Sequence, residues 1–534
     1  ANSEKIARQC QFEFSLGKPI FPKIDLPKGE TSFSYLWKIA FDGAKERYQP
    51  LTKKFISRLN YELNTINELG FSDYFLIVKD IVDYCNREGI PCVGRGSAGD
   101  SVVSYVLGIT QVDPLRYNLY FERFLNPERA DPPDIDLDIC WKNRDRVLDY
   151  VYKKYGETRT AMICTFNTFQ LRSSIRDVAR TFGFPEDEIS TITKYLPHYG
   201  IQQLSQAIEN LPECRDLQQN ADVFKQVLEI AKRIADFPRH QSIHPGGVII
   251  APDRITHYTP LQVAGKGIIV SHYDMYSIEP LGLVKMDLLG VRSLSIVTDC
   301  LNQVKGIYQK LQGNGEKGAI SDPIETAEPQ NDRAEKFNFG RTTNKHPRVQ
   351  ETPPEKNIYQ YCIEKGKIVK EDIAPYLRPD RFPFLDIGKK HLSPLDLRMI
   401  PENDNHVTRL LRSGLSMGCF QTESPGMRGL LKKMQIDDVD DVITAVALIR
   451  PGAANSGMKD IYIQRRAGLA EVEYVHPSLK PVLEDTYGGV VYQEQVMQVA
   501  AEVAGFSLSQ ADVLRKAMTK SRNKKTLLSM HQDF

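Results

Sequence analysis

A chain of 534 residues is too long for one hydrophobic core, so about three or four domains are expected. With 41% hydrophobic and 26% charged residues the composition is that of a globular protein, and no apolar run nears the roughly 18 residues that cross a bilayer. A net charge of +1 excludes global charge as a sign of nucleic-acid binding, so any such footprint must lie in local basic stripes balanced by acidic clusters.

Ala1–Lys5 has no apolar core of the signal-peptide kind, which places the chain in the cytoplasm as an expectation. Nine cysteines stand singly, with no C-x-x-C pair. That spacing argues against a disulfide framework and a thiolate zinc site, leaving reduced, mostly buried thiols. Residues 1–50, with Pro19, Pro22, Pro27 and Pro50, read as a linker running into helix. From Leu51 to Glu88 the pattern is helical, because Phe55, Leu59, Leu63, Ile66 and Leu69 recur at spacings of three and four. Ile90–Val93 then reads as a short strand entering Gly94-Arg95-Gly96-Ser97-Ala98-Gly99, with a helix over about 101–107.

That glycine pattern matches the dinucleotide fingerprint, and a nicotinamide oxidoreductase is the rival it raises. A Rossmann domain would continue as alternating strands and helices with an acid ending the second strand. Here the chain reaches Pro133-Asp134-Ile135-Asp136-Leu137-Asp138-Ile139 instead, which has no role in a nicotinamide site. Both readings share backbone N–H groups that bind phosphate at a helix start, so we read a triphosphate cradle.

In the aspartate run, Asp134, Asp136 and Asp138 face one way while Ile135, Leu137 and Ile139 face the other. Aspartate is a poor strand former, and carboxylates roughly 7 Å apart on one face repel each other. A hard divalent cation such as magnesium offsets that cost directly. The plainer alternative is an edge strand whose aspartates block aggregation.

Residues 142–236 are helix-rich, with Val151, Phe169, Ile175, Val178, Leu204, Ile208 and Val227 as core candidates. Arg172, Arg176 and Arg180 form a stripe suited to a DNA backbone, or else a solvated helix face. Strand-like segments return at 247–250, 267–270 and 283–288, so the chain leaves a sheet and rejoins it. In Val284-Lys285-Met286-Asp287-Leu288, Lys285 and Asp287 share a face. A further carboxylate with a lysine beside it suits two-metal phosphoryl transfer, although a surface Lys–Asp ladder has the same pattern. Residues 312 to about 358 lose periodicity and read as a flexible insertion. Helix-rich sequence resumes near Val407, and Ser507 with Gln510 forms a capping box opening a helix with Arg515, Lys516 and Lys520, followed by Arg522, Lys524 and Lys525.

Nine blocks, in order, carry a resemblance. They are Gly94–Ser101, Phe121–Arg129, Pro133–Asp138, His244–Gly247, Lys285–Gly290, Phe420–Ser424, Arg450–Gly452, Tyr492–Met497 and Leu514–Met518. Together they resemble the alpha subunit of bacterial DNA polymerase III, a C-family polymerase. The resemblance implies an α+β fold: a polymerase-beta-like nucleotidyltransferase palm with a mixed sheet, a helical thumb and helix-rich fingers. It divides the chain into a linker at 1–50, palm at 51–165 and 244–300, and thumb at 166–243. The fingers would start at 301–395, with an atypical insertion, and continue over 396–534. By the same resemblance Asp134, Asp136 and Asp287 would be catalytic and hold two magnesium ions, with Asp138 in support. Gly96, Ser97, Arg123, Lys285, Arg515 and Lys516 would bind the nucleotide, and the stripe Arg172, Arg176, Arg180 would bind DNA.

The implied activity is template-directed transfer of a nucleotide from a deoxynucleoside triphosphate to a primer 3′-hydroxyl, in replication or error-prone repair synthesis. Primer–template DNA and the triphosphate would be partners, with a sliding clamp and other replisome subunits engaged through regions absent here. The resemblance also implies a truncated catalytic core, without the family's amino-terminal domain or its later fingers motif. Asp100 departs from the family pattern by setting a negative charge near the phosphate cradle. The alternative in a different class is a catalytically impaired DNA-binding remnant.

Overall fold

The period-two segments of the sequence become neighbouring strands of one sheet in the computed structural model. The structure describes all residues except 1, 11–15, 18, 23, 129–131, 196–220, 266, 314–358, 365–366, 373–401, 451–456, 520–527 and 529–534. It divides into two units, residues 1–295 together with 405–534, and residues 296–404.

In the first unit seven strands form the sheet: β1 (Cys92–Arg95), β2 (Asp136–Cys140), β3 (Thr160–Thr168), β4 (Pro238–Ile250), β5 (Leu261–Val263), β6 (Ile269–Asp274) and β7 (Lys285–Val291). Their order is β1-β2-β7-β4-β3-β6-β5. The β2/β7 and β3/β6 pairs are parallel and the others antiparallel, so the fold is α+β with a mixed sheet, as expected. The dinucleotide reading is corrected here. The glycine turn leaves an edge strand, β1, that runs antiparallel to β2, whereas a Rossmann unit needs a parallel crossover pair.

Alternation decides which side of the sheet is covered. Leu137, Ile139, Met286 and Leu288 join one core with Phe55, Leu59, Leu63 and Ile66 from the helix Lys53–Glu68 and with Tyr74 to Val82 from the helix Ser72–Arg87. Residues 1–50 require a correction. Ser32–Arg47 is a helix, capped by Thr31, and its Leu36, Ala40 and Ala44 are buried in this same core. The prolines only bracket this helix, and a stripe built largely of alanines is too faint to read as an apolar face.

Between β3 and β4 the chain makes the helical excursion that the sequence suggested. The helices Leu171–Thr181, Glu186–Tyr195 and Ala221–Arg233 share a separate small core of Leu171, Ile175, Val178, Ala179, Ile189, Val227 and Ala231. Val151 is buried in the main core and Phe169 is partly exposed, while Leu204 and Ile208 lie outside the described residues.

In the C-terminal part, the helices Pro425–Met434, Val439–Leu448 and Met458–Arg466 pack around Met427, Leu431, Leu448 and Tyr462. The helices Gln493–Ala504 and Leu508–Thr519 pack on each other through Met497, Ala500 and Ala511. The capping box forms: Ser507 N donates to Gln510 Oε1 at 3.0 Å, and Gln510 N donates to Ser507 Oγ at 3.2 Å. In the second unit Tyr359–Glu364 and Lys367–Asp372 pair as an antiparallel hairpin. The expected insertion falls mostly on 314–358 and 373–395, outside the described residues, as do Arg129, Pro451, Gly452, Lys520, Arg522, Lys524 and Lys525. Among the described residues no helix is long and apolar enough to cross a membrane. Their cysteines are free, with Cys85, Cys92, Cys140 and Cys164 buried but Cys10, Cys300 and Cys419 exposed.

Candidate active site

Parallel pairing of β2 with β7 puts Asp136 directly opposite Asp287, two residues far apart in sequence. Asp134 stands in the extended run just before β2, and one carboxylate oxygen from each of the three lies within 4.8 Å of the others. The three side chains grade inward, from Asp134 at 62% exposed through Asp136 at 22% to Asp287 at 8%. Burial, with Asp134 and Asp287 nearby, pushes the Asp136 carboxyl up to about 6. Asp287 Oδ1 is buried without a hydrogen-bond partner.

Two cations sit against this charge. Lys285 Nζ donates to Asp287 Oδ2 at 2.6 Å and lies 3.8 Å from Asp134. Burial works to lower the Lys285 ammonium, but the bond to Asp287 and the charge of Asp134 hold it above its ordinary range. Arg95, opposite Asp136 in β1, lies 3.2 Å from Asp136 Oδ2 and donates to Asp138 Oδ1 at 2.9 Å. Asp138 therefore points to the same face as the others yet is taken up by arginine, outside the cluster of three.

Three hard oxygen donors that repel one another, one of them with an orphaned buried oxygen, fit magnesium ions. Gly246 and Gly247 on β4 lie against β7, the strand of Asp287. Gly247 is the cross-strand partner of Asp287, and a Cβ on Gly246 would fall 2.5 Å from Leu289 Cδ2 and 3.4 Å from Asp287 Oδ1. His244 braces this turn, its Nδ1 accepting from Gly246 N at 3.2 Å and Gly247 N at 2.7 Å. Sequence reading gave no role to Arg95 or His244. Their positions depend on sheet order, and the only signal was membership of the glycine-rich turn for Arg95 and of the His244–Gly247 block of the resemblance for His244.

The glycine turn sits at the same end of the sheet. Arg95, the last residue of β1, is followed by Gly96 at φ +73°, a left-handed value that glycine adopts freely, and by a tight turn over Gly96–Asp100. Ser101 Oγ then caps Val102–Val106 by accepting from Ser104 N at 3.1 Å. The turn is anchored from beneath: the fully buried Glu62 accepts from Ser101 Oγ at 2.8 Å and Val103 N at 3.0 Å. Its partner Arg58 donates to Asp100 O at 3.0 Å. Gly96 is exposed and Ser97 half-buried, beside Asp136 across the β1/β2 pair.

Arg123 leaves the short turn Phe121–Arg123, and its Nη1 meets Asp100 at 3.2 Å and Glu494 at 2.5 Å. Arg515, on Leu508–Thr519, is buried and donates to Asp512 and to Gln493 Oε1 at 2.8 Å. Both arginines thus gather around Gln493 and Glu494, while Lys516 is half-buried on the same helix as Arg515. The arginine stripe lies elsewhere, on the excursion helix Leu171–Thr181. There Arg176 and Arg180 both bind Glu186, a partner that helical spacing could not disclose. Glu186 is not one of the three clustered carboxylates.

Two family models match the chain. Residues 34–290 match the bacterial DNA polymerase III alpha NTPase domain, and residues 384–534 match the bacterial DNA polymerase III alpha subunit finger domain. Among curated proteins, the chain is 35% identical over 534 residues to an error-prone DNA polymerase of Symbiobacterium thermophilum, covering 100% of the chain and 41% of that protein. It is 34% identical over 521 residues to the DNA polymerase III subunit alpha of Bacillus subtilis, covering 97% and 39% respectively. The corresponding protein of Aquifex aeolicus is 33% identical over 531 residues, covering 94% and 39%. The chain spans about two fifths of the length of these relatives.

Proposed function

We propose that this chain, which belongs to the bacterial DNA polymerase III alpha family, is the catalytic core of a DNA-directed DNA polymerase. The observation that carries the reading is the meeting of Asp136 and Asp287 across two parallel strands, with Asp134 beside them. The primer 3′-oxygen attacks the α-phosphorus of a deoxynucleoside triphosphate. One P–O bond forms, the bond to pyrophosphate breaks, and the hydroxyl proton is lost.

Asp134, Asp136 and Asp287 would hold two magnesium ions, which when bound make the hydroxyl more acidic and offset charge on the transferring phosphoryl. Lys285, bonded to Asp287, offers a cation to the phosphates from the palm. Gly96 and Ser97 present backbone N–H groups and a hydroxyl to the triphosphate, next to Asp136. Arg123 meets the phosphates from the palm side, and Arg515 and Lys516 from the fingers side. Arg172, Arg176 and Arg180 track the DNA backbone in the thumb, where Arg176 and Arg180 exchange Glu186 for phosphate.

Asp136→Asn removes a charge at the centre of the ligand set while keeping shape. Primer extension by this variant should fall by at least about two orders of magnitude, with DNA affinity by fluorescence anisotropy little changed. Extension at the wild-type rate would dismiss the assignment. A second reading, a non-catalytic DNA-binding remnant, is favoured by the carboxylates already paired with Arg123. Magnesium-dependent incorporation of a single nucleotide by the unaltered chain separates the two.

A further inference from the structure

Arg123 is the point where the glycine turn and the C-terminal helices touch through charge. Asp100 ends that turn with 1% of its surface exposed, and both its oxygens lie 3.2 Å from Arg123 Nη1. The same nitrogen receives Glu494 from the first turn of the helix Gln493–Ala504. Two carboxylates therefore share one N–H-bearing atom, instead of one carboxylate matching the two-pronged guanidinium edge. Neighbouring bonds tighten the join: Arg515 holds Gln493, Asn126 Nδ2 donates to Ser509 O at 3.0 Å, and Gln498 Nε2 donates to Tyr120 Oη at 3.0 Å.

We infer that Asp100 and Glu494 compete with the incoming triphosphate for Arg123, so that residue 100 sets nucleotide affinity. This rests on the nucleotidyl-transfer reading of Arg123. A phosphate offers the guanidinium two oxygens at fork spacing, the stronger match, and so can displace carboxylates that share a single nitrogen. Asp100 is poorly served where it is: its Oδ2 has no hydrogen-bond partner, and burial, opposed by Arg123 and reinforced by Glu494, pushes its carboxyl up to about 7. Asp100 lies on the same turn as Gly96 and Ser97. Releasing Arg123 therefore frees the phosphate-facing turn and the helix Gln493–Ala504 from each other in one exchange.

The affinity of a site that is open only part of the time is reduced by the open fraction. Removing the internal competitor should raise it roughly three- to tenfold. Inorganic tripolyphosphate binding to the full chain by calorimetry reads this without catalysis. Asp100→Asn keeps the shape and Asp100→Ala removes the contact. Both should bind tripolyphosphate more tightly than the unaltered chain, with Glu494→Gln in the same direction, while thermal melting confirms the fold. In primer extension the same variants should lower KM for the complementary triphosphate and change kcat less. Equal or weaker tripolyphosphate binding by both Asp100 variants, or none by any form, overturns the competition. Failure of the unaltered chain to incorporate nucleotide, with the calorimetric ranking intact, sinks the polymerase reading and not the competition for Arg123.

Discussion

At the scale of single residues the site stores charge that the fold alone does not balance. Asp136 is raised to about 6 and Asp100 to about 7, both chiefly by burial, against an ordinary value of 3.8. A carboxyl raised in the folded state binds its proton more tightly there than in the unfolded chain. Its penalty is absent below the unfolded value, grows as pH rises toward the folded value, and is complete above it. Without divalent ions the melting temperature should therefore fall between about pH 4 and pH 7, by several degrees. Magnesium should return the share due to Asp136, and Asp136→Asn should abolish both that share and its response to magnesium. Asp100→Asn should remove the part nearest neutral pH. A melting temperature that climbs steadily over this interval would contradict the picture. The aspartates themselves were legible as a rare run on one face of a strand. The split between Asp138 and the other three came only through the resemblance and not from strand alternation, because it depends on Arg95 standing opposite in β1.

At the scale of elements, helices with large apolar residues at regular spacing could be read directly, as Phe55, Leu59, Leu63 and Ile66 show. The helix Ser32–Arg47 could not, because its buried stripe relies on Ala40 and Ala44, and because a glycine, Gly43, faces a neighbouring backbone with no room for a side chain. A Cβ at Gly43 would lie 2.1 Å from Val106 O and 3.0 Å from its carbonyl carbon, both backbone atoms in the helix that follows the glycine turn. Backbone cannot swing aside as a side chain does, so Gly43→Ala forces the two helices apart. We expect a loss of about 2–3 kcal/mol in urea unfolding, despite alanine's better helix propensity. Gly429→Ala, inside the helix Pro425–Met434, is the control for helix propensity alone, since no atom lies near its added Cβ. If Gly43→Ala were as stable as the parent, residues 32–47 would be peripheral after all and the linker reading would return. The same contact should reach the site, because Val102–Val106 is capped by Ser101, directly after the turn that carries Asp100.

At the scale of the whole molecule, the first unit holds several separate cores on one chain. The excursion core of Ile175, Val178, Ala179 and Val227 is distinct from the main sheet core around Phe55, Leu137 and Leu288, and the paired strands β3 and β4 lead out to it. Sequence showed that the chain leaves a sheet and rejoins it, since strand-like and helix-like periods alternate visibly. The order of the strands stayed hidden, because β2 and β7 are distant in sequence and nothing within either segment names its neighbour. A small core closed by few apolar side chains should open without the larger one. Ile175, fully buried at the centre of the excursion, tests this: Ile175→Ala removes contacts worth about 2–4 kcal/mol locally. Hydrogen exchange should then speed in Leu171–Thr181 and Ala221–Arg233, while amides of Lys53–Glu68 and of β2 and β7 keep their protection. Acceleration of all of them together would mean that the two cores unfold as one cooperative body. The carboxylate site would then share the excursion's stability, and a loosened excursion would carry Asp134, Asp136 and Asp287 with it.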